Sequence, residues 1–75
     1  MTVTHPVYAE LVANVLKVVA EPGDQVTADD TVILLDSMKM EIPVRAEVAG
    51  TVSEVAVHEG DVVTEGDLLV EIEEA

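Results

Sequence analysis

The chain has 75 residues and no cysteine, so its length predicts one domain and its composition excludes disulfides, thiolate metal sites and a thiol nucleophile. A formal net charge of −13 excludes nucleic acid and anionic membranes as partners, because binding to either needs clustered lysine and arginine. Hydrophobic residues make up 49% of the chain, which argues against a disordered acidic segment. No signal peptide and no membrane-spanning apolar run occurs, so we expect a folded cytoplasmic domain.

The first nine residues differ from the rest of the chain. Residues 1–9 are predicted to form a loose lead-in, because Pro6 disfavours a regular start, and the folded domain is predicted to span residues 10–75. Valine dominates the apolar residues of that domain, while Tyr8 is the only aromatic residue of the chain. Because β-branched side chains fit a pleated sheet better than a helix, we predict an all-β fold with a slender core.

Two halves of this domain repeat each other at a shift of 37 residues, which brings Gly23 onto Gly60. The sequence "NVLKVVAEPGDQVTADDTVILLD" aligns with "TVSEVAVHEGDVVTEGDLLVEIE". Each half, about residues 10–38 and 40–74, predicts a strand, a Gly-Asp turn, a short strand and a further strand. We predict that the halves pack face to face as two small sheets. The resulting flattened barrel or sandwich would have two four-stranded antiparallel sheets and a pseudo-twofold axis.

The glycines and most of the charged residues are predicted to have structural roles. No glycine-rich loop leads into a helix, which excludes phosphate binding, so we assign turn roles to Gly23, Asp24, Gly50, Gly60, Asp61 and Gly66. The two histidines, His5 and His58, lack metal-ligand spacing, and no metal site is predicted. The paired acids at 29–30 and 73–74 are predicted to be solvated charges, since no calcium-loop spacing accompanies them.

The segment "DSMKME", residues 36–41, falls between the two halves and is predicted to form a hairpin with Lys39 at or beside its tip. A two-residue hairpin turn normally prefers Asn-Gly or a glycine-containing pair, so this turn contradicts the local preference. Such contradictions are expected at functional sites. A lysine at a hairpin tip has the reach and exposure that a covalent attachment point needs.

This segment resembles the Glu-Ala/Ser-Met-Lys-Met signature of the biotinyl-attachment domains of biotin-dependent carboxylases. The segment "AEVAGTV", residues 46–52, is similar to the family's Ala-Pro-x-x-Gly-x-Val segment, and the resemblance extends over roughly residues 10–73. The chain has no insertion like the protruding thumb of some carrier subunits. It ends shortly after the second half, so we expect a free-standing carrier.

The resemblance implies that a biotin protein ligase attaches biotin covalently to Lys39. The biotin would then carry a carboxyl group from a biotin carboxylase site to a carboxyltransferase site, for delivery to an acyl-CoA or related acceptor. The domain itself would be non-catalytic, and we expect it to be monomeric in isolation. No nucleophile with a neighbouring base is evident in the sequence, which agrees with a carrier role.

The residues that flank Lys39 are predicted to be recognised by partner enzymes. Met38 and Met40 would form an adaptable apolar label, with Asp36 and Glu41 beside it. The alternative for the two methionines is that they only fill gaps in a sparse core.

Four positions depart from the family or from the internal repeat. Asp36 conservatively replaces the family's commoner glutamate, and Glu47 stands where the family often has proline. Ala13 stands where the second half has Gly50, and Asp29 stands where it has Gly66. Aspartate tolerates left-handed backbone geometry better than most residues, at some cost, so we expect these changes to affect local stability and not the modification chemistry.

Two other functions remain open from the sequence. Lipoyl domains share this fold and place their lysine in the same turn, but without the flanking methionines. An unmodified β-sandwich adaptor would keep the fold and lose the cofactor. The acidic surface fits either steering toward basic partner surfaces or simple solubility and protection of strand edges.

Overall fold

The computed structural model describes residues 3–74, and its regular secondary structure within that range consists only of β-strands. The eight strands are β1 (Thr4–Tyr8), β2 (Ala13–Val18), β3 (Gln25–Val26), β4 (Thr31–Ser37), β5 (Met40–Arg45), β6 (Gly50–Val55), β7 (Val62–Val63) and β8 (Leu68–Glu74). In this part of the chain no helix has the length and apolar character needed to cross a lipid bilayer.

The strands form two four-stranded antiparallel sheets, which confirms the predicted fold class. Sheet I has the order β1-β8-β6-β3, and sheet II has the order β5-β4-β2-β7. Each sheet contains strands from both halves of the chain, because the short strands β3 and β7 pair with the opposite half. The prediction that each half forms its own small sheet is therefore wrong. The exchange interlocks the halves, so neither can close its sheet alone.

The predicted loose lead-in is wrong for Thr4–Tyr8, which form the edge strand β1. This strand pairs with β8, and Val7 lies opposite Val70 with only 3% of its surface exposed. Pro6 is tolerated because an edge strand has one side on which no partner needs its missing N–H. Residues 1 and 2, also part of the predicted lead-in, lie outside the described residues.

The core lies between the sheets and consists of aliphatic side chains. The most completely buried of them are Val32, Ile33, Ala46, Leu69, Val70 and Ile72, each with 0% of its surface exposed. Within residues 3–74 no polar or charged side chain is buried. The interior is therefore structural, and any chemistry of this part of the chain takes place at its surface.

Four turns are closed by aspartate side chains. Each carboxylate accepts a hydrogen bond from the backbone N–H three residues earlier, at N···O distances of 2.8–2.9 Å; the four residues are Asp24, Asp30, Asp61 and Asp67. Asp30, predicted to be a solvated charge, is exposed and in addition closes a turn. These interactions explain why Asp24 and Asp30 in the first half match Asp61 and Asp67 in the second half at the 37-residue shift.

Backbone geometry separates the equivalent turn positions Asp29 and Gly66. Gly66 has a φ of 93°, whereas Asp29 is not among the residues with positive φ, so the aspartate carries no cost of left-handed geometry. Glu47, the residue at the family's proline position, does adopt positive φ, at 72°. Gly50 is required for another reason, since a Cβ there would overlap the carbonyl oxygen of Glu73.

Candidate functional site

The hairpin between β4 and β5 carries the candidate site. Ser37 lies opposite Met40, which leaves Met38 and Lys39 as a two-residue turn. Their φ values are 51° and 68°, and positive φ at both positions is the mark of a type I′ turn. Left-handed geometry costs a residue with a side chain about 1–2 kcal/mol. The strain expected from the sequence is therefore present at the tip itself.

Both methionines of this turn region are on the surface. Met38 is 92% exposed and Met40 is 63% exposed, so neither fills a gap in the core. Lys39 is also exposed, and the salt bridges within residues 3–74 involve only His5 and His58. Lys39 is therefore exposed to solvent between the exposed residues Met38 and Met40, and no carboxylate in residues 3–74 forms a salt bridge with it.

Asp36 and Glu41 lie directly opposite each other at the base of the same hairpin. Asp36 is half-buried and Glu41 is exposed. Like charges at directly opposite positions destabilise a sheet, and the fold does not demand an acid at either position. The structure thus brings all five predicted site residues together on one hairpin.

One contact at this hairpin could not be found from the sequence. The Ser37 hydroxyl donates a hydrogen bond to the backbone carbonyl of Val12, with an Oγ···O distance of 3.1 Å. It ties the base of the hairpin to the connection between β1 and β2. No motif or spacing pairs these residues, since they meet only through the sheet topology.

The remaining titratable groups do not assemble a second site. His5 Nε2 lies 3.2 Å from the Glu47 carboxylate, and His58 Nδ1 lies 3.9 Å from that of Asp61. No group of three or more His, Asp or Glu side chains in residues 3–74 is placed to hold a metal ion. What this arrangement offers chemically is an accessible primary amine at the tip of a hairpin on a two-sheet body.

Comparison with known families agrees with this geometry. The model of the biotin/lipoyl-attachment family, described as "biotin-requiring enzyme", matches residues 1–72. The chain therefore belongs to the biotin/lipoyl-attachment family, as the resemblance at Lys39 predicted. The match also includes β1, in agreement with the structural correction at the N-terminus.

Curated relatives match over a shorter segment. The biotinylated protein TB7.3 homolog of Mycolicibacterium smegmatis is 61% identical over 36 residues, which are 48% of this chain and 51% of that protein. Biotinylated protein TB7.3 of Mycobacterium tuberculosis is 62% identical over the same fractions. In these alignments the chain spans about half the length of the relatives it matches.

Solved structures resemble nearly the whole chain. A single-chain, multi-domain long-chain acyl-CoA carboxylase matches with a TM-score of 0.90 and 29% identity, over 96% of this chain and 7% of that one. The urea carboxylase of Kluyveromyces lactis matches with a TM-score of 0.88 and 37% identity, over 93% and 6%. The lipoyl domain of the Azotobacter vinelandii 2-oxoglutarate dehydrogenase complex gives a TM-score of 0.75 and 25% identity, over 92% and 98%.

Proposed function

We propose that this chain is a biotin carboxyl carrier with biotin held in an amide bond to Nζ of Lys39. The observation that carries the proposal is the exposed, unpaired Lys39 at a strained tip, between two exposed methionines. The relatives named as biotinylated proteins support biotin as the attached group. The two carboxylases of similar structure support carboxyl transfer as its use.

The attachment step needs an external enzyme, a biotin protein ligase. The neutral Lys39 amine attacks the carbonyl carbon of biotinyl-adenylate, the new C–N bond replaces the bond to phosphate oxygen, and AMP leaves as the amine loses a proton. Nothing within residues 3–74 supplies a buried base for that proton. The domain therefore contributes the nucleophile and its presentation, and the ligase contributes the activation.

The carrier role follows from tethering. A biotin ring on the extended lysine stem can enter the site of a biotin carboxylase, which uses ATP and bicarbonate, and then the site of a carboxyltransferase. A tethered group reaches a high local concentration at any site its arm can span. The domain takes no catalytic part in the carboxylation of biotin or in the transfer of the carboxyl group. Its two sheets fix the position of the backbone from which the biotinylated Lys39 side chain extends.

A lipoyl carrier is the second candidate, supported by the likeness to a solved lipoyl domain. Two observations favour biotin over lipoate. The methionines on both sides of Lys39 are a feature of the biotinyl signature, and the TM-scores to the two carboxylases exceed that to the lipoyl domain.

The carrier role is tested by carboxylation of the biotinylated domain with a biotin carboxylase, ATP and labelled bicarbonate. We expect label on the wild-type domain and on Lys17→Arg, and none on Lys39→Arg. Lys17 is a suitable control because it is also exposed but lies within β2. Biotinylated wild-type domain that accepts no label would contradict the carrier role.

A further inference from the structure

The outer faces of the two sheets carry different residues at equivalent positions. On sheet II one row across the strands reads Pro43, Leu34 and Lys17. The row at the same place on sheet I reads Pro6, Glu71 and Glu54. The 37-residue repeat maps each residue of one row onto the other. Sheet I has glutamates at the positions equivalent to Leu34 and Lys17. Folding therefore does not require a leucine or a lysine at these positions.

The same asymmetry continues around this row. Leu16, the extra residue of a β-bulge in β2, is 45% exposed and is equivalent to Ser53. Val62, in β7, is 66% exposed and is equivalent to Gln25. Neither Leu16 nor the half-buried Leu34 is among the apolar side chains that pack against the core. We call this surface the sheet II outer face; it comprises Leu16, Lys17, Leu34, Pro43, Arg45 and Val62.

The lysine and arginine side chains all belong to sheet II or its hairpin. Lys17 lies in β2, Arg45 lies in β5 and Lys39 lies at the hairpin, whereas the strands of sheet I contain no lysine or arginine. In residues 3–74 none of these three side chains forms a salt bridge, although the chain has 16 acids. A chain with a net charge of −13 therefore keeps an apolar surface with two free cations beside it.

We propose that the sheet II outer face is the docking surface for a biotin carboxylase, and this inference rests on the proposed carrier function. The complementary protein surface has an apolar centre and carboxylates opposite Lys17 and Arg45. Strands β4 and β5 run from this face directly into the Lys39 hairpin, so docking here fixes where the arm begins. A second copy of the chain could offer Glu54 and Glu71, but repulsion between two strongly acidic bodies opposes it.

The internal repeat supplies the variant that tests this surface. Three residues of the face are replaced by those at the equivalent positions of the other half, in the triple variant Leu16→Ser, Lys17→Glu and Leu34→Glu. The matched control changes three residues on the opposite sheet: Ser53→Ala, Glu54→Gln and Glu71→Gln. Thermal unfolding of both variants establishes that each is folded. The enzyme is a biotin carboxylase that carboxylates the wild-type biotinylated domain.

For the triple variant we expect normal biotinylation and a KM for the biotinylated domain raised by roughly tenfold or more, with little change in kcat. The KM of the carboxylase for the control variant should equal that for the wild-type domain. Its KM for free biotin, which lacks the docking surface, is measured as a reference and should be the same in every experiment. An unchanged KM in the triple variant, or an equal rise in the control, would overturn the docking surface. If the wild-type domain formed concentration-dependent dimers and the triple variant did not, the face would bind a second copy of the chain and the proposal would be wrong. Wild-type domain that gains no biotin would refute the carrier function itself.

Discussion

Met38 and Lys39 occupy backbone geometry that their side chains disfavour, and both belong to the proposed attachment site. A glycine or asparagine at position 38 would relieve the positive φ of 51°. The chain instead places a 92%-exposed methionine there, which buries almost no apolar surface and gains little from packing. Retaining an unfavourable residue at an exposed tip is understandable if a partner enzyme contacts it.

Replacement of Met38 and Met40 by leucine should therefore affect ligation and not folding. We expect the Met38→Leu, Met40→Leu variant to unfold at the wild-type temperature, because both side chains are exposed. The rate of biotin transfer by the ligase should fall by roughly tenfold, since a flexible thioether is lost from the contact. Val19→Leu, a change at another exposed residue, is the control. A wild-type ligation rate in the double variant would remove the methionines from recognition.

Gly50 is the residue whose replacement should damage the fold most simply. An added Cβ would meet the backbone of β8 at Glu73, and backbone cannot move aside as a flexible side chain can. We expect Gly50→Ala to lower the free energy of unfolding by about 1–3 kcal/mol, as overpacking usually does. Urea unfolding measures it, with Gly60→Ala as a comparison, where the added Cβ meets nothing and only the positive φ is strained. Equal stability of Gly50→Ala and wild type would contradict the close approach.

At the scale of elements, the edge strand β1 is the clearest new component. Val7 packs in the core from this strand, whereas Val3, just before it, is 56% exposed. We expect Val7→Ala to lower the free energy of unfolding by about 2 kcal/mol, through lost apolar burial and a cavity. Val3→Ala should change it by less than about 0.5 kcal/mol, as exposed substitutions usually do. If the two variants were equally stable, β1 would not be a structural part of the domain.

The sequence could have predicted β1, because "PVYAEL" (residues 6–11) matches "PVRAEV" (residues 43–48) at the same 37-residue shift. The proline in each segment obscures that match, because proline is unusual within a strand. In the structure both prolines lie on edge strands, where a missing N–H also discourages pairing with other chains.

Other features could not be predicted from the sequence in physical terms. The two-residue strands β3 and β7 are too short to show a periodicity, so nothing indicated which sheet each would join. The hydrogen bond from Ser37 to Val12 depends on that topology. The hairpin, by contrast, was predictable because the repeat placed Lys39 between two halves and the turn residues were unusual.

At the scale of the whole molecule, negative charge opposes folding. Glu54 and Glu71 lie directly opposite each other on sheet I, and no lysine or arginine occurs in the strands of that sheet. Salt shortens the range of such repulsion, from about 30 Å at 0.01 M to about 10 Å at 0.1 M. We therefore expect the melting temperature to rise by several degrees between these two ionic strengths, on the order of 1 kcal/mol.

The control for this prediction removes the opposed pair. Glu54→Gln, Glu71→Gln should be more stable than wild type at low salt and should gain less from added salt. A melting temperature that is independent of salt in the wild type would show that self-repulsion is negligible in this fold.

The central claim is that Lys39 carries biotin, and the intact mass of the chain after incubation with a biotin protein ligase, biotin and ATP tests it most directly. We predict that the wild type and Lys17→Arg each gain one biotinyl group, and that Lys39→Arg gains none. A parallel incubation with a lipoyl ligase and lipoate should leave the mass unchanged. No biotinyl gain in the wild type, or a biotinyl gain that persists in Lys39→Arg, would contradict the account.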